Sequence, residues 1–258
     1  MVEFVRRRWR GKFPLTAYLD ECDYLISIPK FKTHELTILT AAIKNNFGLV
    51  SGTYKTELHR RNIYPESFSK AVVDVYQEAR PALSIVDGIT AMEGDGPGTA
   101  GKLRQEGLIV TGADAVAVDS VLTLIMGLEP LDILTTRIAA ERKLGVANIN
   151  SIEIVGERLE DLVGEPFELP KTSLRRKIPI PLQRLAAKLV HFYPRIVQEN
   201  CVRCGTCIAI CPQKVIHRNN ERITIHYAKC ISCFCCQESC PASAIKIRRS
   251  LLAKLLGL

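Results

Sequence analysis

The carboxyl-terminal part of this 258-residue chain carries one cysteine pattern twice. Cys201, Cys204, Cys207 and Cys211 recur 29 positions later as Cys230, Cys233, Cys236 and Cys240. Pro212 recurs as Pro241, and Ile216 as Ile245. Each half reads C-x2-C-x2-C-x3-C-P. Nine of the ten cysteines lie between Cys201 and Cys240, and Cys22 stands apart. In a reducing compartment, thiols gathered in this way point to metal rather than to disulfides. Structural zinc sites pair two C-x2-4-C knuckles across a longer spacer, whereas here three cysteines share each knuckle.

This run resembles that of bacterial two-cluster ferredoxins. Three close cysteines let one loop wrap three corners of a cube, and the fourth, before Pro, reaches the other cluster. The resemblance implies two [4Fe–4S] clusters. Cys201, Cys204, Cys207 and Cys240 would hold one, and Cys211, Cys230, Cys233 and Cys236 the other. Cys235 breaks the repeat, since its counterpart is Thr206. It reads either as a small buried hydrophobe or as a reactive or alternative ligand. Between the halves, VIHRNNERITIHY alternates around a turn and predicts a hairpin with His217 and His226 on the surface.

The composition, 47% hydrophobic and 24% charged, is that of a globular protein with room for one large and one small domain. The net charge of +8 suits an acidic partner, a nucleic acid or an anionic membrane surface. No apolar run reaches the roughly 20 residues a membrane helix needs. The basic start fails as an export signal because Asp20, Glu21 and Asp23 precede any signal-length apolar region. These features read as a cytoplasmic protein.

In the long amino-terminal part the apolar period switches between two and 3.6. CDYLISIP, ALSIVDGI, EGLIVTG and NSIEIVG read as strands. HELTILTAAIKNNFG reads as a helix with Thr33 as N-cap and Gly48 beyond its end. ESFSKAVVDVYQEARP, ADAVAVDSVLTLIMG and LDILTTRIAAERKLG read as further helices. The alternation predicts an α/β layered domain, followed by a small α+β ferredoxin-like iron–sulfur domain.

Polar residues gather beside these strands. Lys30, Lys32, Thr33 and His34 fall between a predicted strand and a predicted helix N-terminus, where amides and dipole favour an anion. A solvated loop is the alternative. Lys44 and Asn46 close that helix. Lys55, His59, Arg60 and Arg61 fall in a predicted loop. Asp87 and Glu93 follow a strand, at the carboxyl end where α/β sheets bind ligands. Asp114 and Asp119 open the next helix, and Asp114 reads equally well as a cap. Gly96, Gly98 and Gly101 make a formal G-x-G-x-x-G that leads into a strand, which suits a lid or substrate loop better than a dinucleotide site.

PKFKTH, IKNNFG, VDGITAMEGDGPG and GADAVAVD, in that order, resemble the DUF362 family, and many of its members carry such an iron–sulfur tail. The resemblance covers roughly residues 20 to 156 plus the tail. It marks Lys32, His34, Lys44, Asn45, His59, Asp87, Glu93 and Asp119 as the polar positions to watch. Members carry a further region before PKFKTH that is nearly absent here, which implies an internal start or a split gene.

The expected organisation is an α/β domain over 1–165, a basic, Pro-containing linker with a helix at LQRLAAKLVHFY over 166–195, the ferredoxin domain over 196–248 and a basic apolar tail over 249–258. Docking of the two domains explains linker and tail more simply than membrane-surface contact does. No motif for nucleic acid is present. Three functions fit the residues. The first is electron transfer to a redox partner protein. The second is a redox enzyme with catalytic Lys32, His34, His59, Asp87 and Glu93 acting on a small anionic ligand. The third is a cluster-stabilised binding or regulatory protein.

Overall fold

The computed structural model describes residues 7–10, 13–51, 54–62, 64–98, 101–171 and 192–250. An antiparallel pair, β1 (Arg7–Arg10) and β2 (Phe13–Thr16), precedes a five-stranded mixed sheet. At its centre is β6 (Leu83–Gly94). Along one edge it pairs in parallel with β3 (Ile26–Ser27) and then β4 (Lys30–His34); along the other it pairs antiparallel with β7 (Gly101–Gly112). The outer strand β5 (Ile38–Thr40) lies antiparallel to β4.

Helices α1 (Ala42–Asn45), α3 (Pro65–Ala79), α4 (Ala115–Ile125) and α5 (Leu134–Glu141) pack on one another, and α1 and α4 also touch β6. Alternation along β6 buries Ser84, Val86 and Gly88 and turns Ile85, Asp87 and Ile89 to the more open face. The core holds Phe31, Phe47, Phe68, Leu122, Ile125 and Met126, all with negligible exposure. Each such side chain stabilises the fold by roughly 1.5–3 kcal/mol before conformational entropy is subtracted. The amphipathic helix expected before Pro81 is α3, which buries Phe68, Val72, Val75 and Tyr76 and ends at left-handed Arg80.

Three sequence expectations fail here. The helix predicted from His34 is instead the β4–β5 hairpin, and helix begins only at Ala42. The residues of β5 are all buried, so strand pairing there satisfies both the backbone and the apolar side chains. Thr33 is therefore no N-cap; its hydroxyl donates to Gly94 O at 2.9 Å. Second, the predicted loop YKTELHRR is helix α2 (Tyr54–Arg61), with Glu57 and Arg61 paired at 2.6 Å and Leu58 and His59 turned inward. Third, NSIEIVG forms no strand. Asn148 accepts from Asn150 N and starts a 3-10 turn at Ile149–Ser151, after which Val155 is largely exposed.

The tail pairs β8 (Phe192–Ile196) with β11 (Ile245–Arg249) and contains the expected hairpin, β9 (Ile216–Asn219) with β10 (Arg222–Ile225). His217 and His226 are exposed, as expected. A short helix α6 (Leu159–Leu162) closes the first domain. Two more, α7 (Thr206–Ile210) and α8 (Cys235–Glu238), carry the third cysteine of each half of the repeat. Most of the predicted linker helix lies outside the described residues, and its last two residues, Phe192 and Tyr193, open β8. Residues 251–258 of the terminal tail also lie outside the described residues.

Candidate functional site

The cysteine repeat is a repeat of backbone shape as well as of sequence. Left-handed residues recur at the same offset: Arg203 and Ser232, Gly205 and Phe234, Lys214 and Ser243. Each loop thereby curls around its own cavity. Cys201, Cys204, Cys207 and Cys240 line the first, with Ile196 and Ile223. Cys211, Cys230, Cys233 and Cys236 line the second, with Val215 and Phe234. All eight are free thiols.

Within each set the thiols perturb one another. Burial, then the charges of Cys201, Cys204 and Cys240, pushes the Cys207 thiol up. Burial, then Cys233, Cys230 and Cys211, does the same to Cys236. A cationic iron centre relieves that repulsion, since thiolate is the ligating form. The donor set therefore fits iron–sulfur clusters: soft sulfur, in fours, in apolar cavities. Cys235 is buried in α8, is hydrogen-bonded to Cys233, and lines neither cavity.

Beside the second cysteine loop lies a polar contact between the two units. His34 sits at the end of β4, where its Nδ1 accepts from Leu36 N at 3.1 Å and Thr37 N at 3.4 Å across the hairpin turn. That fixes the proton on Nε2, which points at Glu238 Oε1, 3.5 Å away. Glu238 ends α8, between the ligand candidates Cys236 and Cys240. The backbone of α8 rests on the glycine loop: a Cβ on Gly98 would lie 3.0 Å from Glu238 Cα. That loop closes the β6–β7 hairpin rather than opening a helix, so it lacks the dinucleotide-binding context.

Around this contact stand Lys32, Lys44, Lys55 and His59. Burial lowers the pKa of Lys44 to about 8 and that of His59 to about 3, with neighbouring lysines adding to the His59 shift. Burial, then Lys44, His59 and Lys32, holds His34 well below its usual value. Both imidazoles are thus neutral. Burial raises Glu238, and Lys44, Lys32 and Lys55 pull it back down. Glu35, buried in the hairpin turn, is raised by burial and then by Glu238. Phe68 stacks against His59 with ring centroids 4.5 Å apart, and Phe47 meets His59 edge-on at 5.6 Å.

The expected site residues therefore divide. Lys32, His34 and His59 converge, together with Lys44. Asp87 does not: it pairs with Lys30 at 2.7 Å on the exposed face of the sheet. Glu93 does not either: it accepts from Arg104 at 3.2 Å and from Glu168 N at 3.0 Å, holding the chain after α6 in place. Asp119 accepts from Ala42 N at 2.7 Å and Ile43 N at 3.2 Å, which caps α1. Asp114 caps α4 through Val116 N and Ala117 N. Asn45 donates to Ser27 Oγ at 2.9 Å, and Asn46 donates to Ala42 O and Ile43 O. Lys30, Lys32 and His34 lie in β4, which leads into β5 rather than into a helix, so the expected anion site does not form as drawn from the sequence. Sequence reasoning missed Glu238; its one local signal is an acidic residue between two ligand cysteines.

A family model described as a domain of unknown function (DUF362) matches residues 2–123, and one described as a 4Fe-4S dicluster domain matches residues 193–241. The amino-terminal part of the chain is thus similar to the DUF362 family. Over 182 residues the chain is 34% identical to the thylakoid-associated protein sll1697 of Synechocystis sp., covering 69% of the chain and 55% of the relative. The chain thus spans about half the length of that relative. Its tail is 38% identical over 58 residues to pyruvate synthase subunit PorD of Methanothermobacter marburgensis, covering 22% of the chain and 68% of the relative. It is also 36% identical over 53 residues to ferredoxin-1 of Caulobacter vibrioides, covering 20% of the chain and 47% of the relative. The tail is an iron–sulfur, [4Fe–4S]-binding, electron-transfer segment. Among the described residues, no helix is long and apolar enough to cross a membrane.

Proposed function

We propose that the chain carries two [4Fe–4S] clusters with crossed ligation and exchanges electrons with a redox partner protein. The carrying observation is the grouping of the eight thiols: Cys240 joins Cys201, Cys204 and Cys207, while Cys211 joins Cys230, Cys233 and Cys236. When bound, each cluster supplies a one-electron couple. The chain's own residues hold it, exclude water with Ile196, Ile223, Val215 and Phe234, and set its distance from the polar pocket. Cys204 is exposed beside Val202, which makes that face the natural approach for a partner. Ten free thiols favour a reducing compartment such as the cytoplasm. Anaerobic reconstitution is expected to give about eight irons per chain. Cys240→Ser is expected to lose the cluster held by Cys201, Cys204 and Cys207, and Cys235→Ser to lose none. Stoichiometric zinc without iron–sulfur absorption would refute the assignment.

A specific observation favours the enzyme reading over simple relay: α8, which carries a ligand cysteine, ends on a carboxylate aimed at His34. In that reading Lys32, His34, Lys44 and His59 orient a small anionic substrate, and His34 Nε2 donates a hydrogen bond to it. Dithionite-reduced protein would then be reoxidised by the substrate, with the cluster absorption as readout. His34→Gln should abolish that reoxidation with iron content unchanged.

A further inference from the structure

We infer that the pocket between the two units is a carboxylate-binding site whose resident occupant is the side chain of Glu238. The inference deepens the enzyme reading just given, and takes from it only the position of α8 beside the second set of cysteines.

Three observations carry it. First, cations are in surplus. Lys32, Lys44 and Lys55 close no ion pair with Glu238 or with another carboxylate among the described residues. The Lys44 and Lys55 ammoniums lie 6.0 Å and 5.6 Å from the centroid of one ring, that of Phe47. Two like charges over one ring repel, and an anion between them removes that cost. Second, buried polar capacity is left over. His59 is 6% exposed and its Nδ1 has no hydrogen-bond partner. His34 Nε2 reaches Glu238 only at 3.5 Å, too long for a good hydrogen bond. Buried polar atoms are ordinarily satisfied, so these two atoms leave hydrogen-bonding capacity for a ligand beside the lysines. Third, the occupant is not locked in. The Glu238 side chain remains 27% exposed and the three lysines are half-buried, so solvent reaches this contact.

The ligand that fits is a small carboxylate: planar, anionic, and able to take the position of the Glu238 group. Its entry would displace Glu238 and release α8 from His34. The competing explanation is that the lysines only balance the negative charge of the adjacent thiolates.

The test uses the full chain, reconstituted with iron, and oxalate as the probe, read by isothermal titration calorimetry at low salt. Glu238→Gln removes the resident charge and keeps the shape, and is expected to bind oxalate at least tenfold more tightly than the unaltered chain. Adding Lys44→Met and Lys55→Met to that variant is expected to lose at least tenfold. If Glu238→Gln binds no oxalate at millimolar concentration, or if the lysine replacements leave its affinity unchanged, the inference is overturned. Should Glu238→Gln lose iron, Glu238→Asp, which withdraws the carboxylate while keeping its charge, is expected to show the same tightening to a lesser degree; no tightening counts against the site. Iron content and visible absorption of the same samples judge the electron-transfer reading separately. A chain that binds oxalate without clusters refutes that reading alone, and one with full clusters and no oxalate binding refutes the site alone.

Discussion

The amino-terminal domain buries Phe31, Phe47, Phe68, Leu122, Ile125 and Met126 in one continuous core, whereas among the described residues the tail has a smaller set, Ile196, Val215, Ile216, Ile223 and Ile245 with Phe192 and Phe234, beside its cysteines. A segment of about sixty residues with so small a core is marginal by hydrophobic burial alone. Its inward-facing atoms are thiols that need a metal centre to be stable as thiolates. The first domain thus stands on burial and the second on ligation. They meet at His34 and Glu238, where each unit supplies what the other lacks.

Removing the metal breaks this comparison most strongly. Chelation under non-denaturing, anaerobic conditions is expected to unfold the tail outright while leaving a cooperative transition for the amino-terminal domain. Two transitions in calorimetry, of which only one responds to iron, would show it; a single shared loss would mean that the core of the first domain depends on the clusters. Next in size is Phe68→Ala, expected to cost about 3–5 kcal/mol in urea unfolding, because Phe68 is fully buried between Phe47, His34 and His59. Its effect should fall on the iron-independent transition.

Acid sharpens the same division. His59 titrates near 6.5 when unfolded and at about 3 in the fold, so the folded state binds its proton less readily. Its contribution is present above pH 6.5 and is lost as the pH falls from there towards 3. The loss is on the order of a few kcal/mol. Asp119 runs the other way. Raised from 3.8 to about 7, chiefly by burial, it favours the fold most below pH 3.8 and progressively less as the pH rises to 7. Urea midpoints of His59→Gln should therefore decline less steeply on acidification than those of the unaltered chain; an identical decline would reassign the acid sensitivity. Asp114→Ala should cost about 1–2 kcal/mol, since its carboxylate caps α4 and also accepts from Val146 N at 2.7 Å. Smallest of all, Lys30→Ala should leave melting temperature and iron content within error. Its bond to Asp87 lies on the exposed face of the sheet, away from both cores.

The Lys30–Asp87 pair also shows where reading the sequence stops. In a regular strand Lys30, Lys32 and His34 would share one face, since side chains alternate with a period of two. The pairing of β4 with β6 is irregular between the first two: Lys30 lies opposite Asp87, and Lys32 already opposite Met92. Lys30 is therefore left at the surface with Asp87, while Lys32 and His34 reach the pocket. The same residues read as a helix entry would have shared one anion site. That helix, α1, starts only at Ala42, where its first amides are capped by Asp119, 77 residues further on. No local pattern announces a cap supplied from another helix.

By itself the sequence determined the cysteine repeat, the hairpin between the halves, α3 and α4, and offered Asp114 as a cap, because each rests on spacing within a few residues or on a strict repeat. Tertiary structure alone decided that PKFKTH forms a strand, that His59 lies on a helix and faces His34 across Phe68, and that Asp87, Glu93 and Asp119 serve the fold instead of the pocket. It also decided that a glutamate of the tail completes a pocket of the first domain. Burial and long-range pairing set these outcomes, and both are properties of the packed chain that neighbouring residues do not encode.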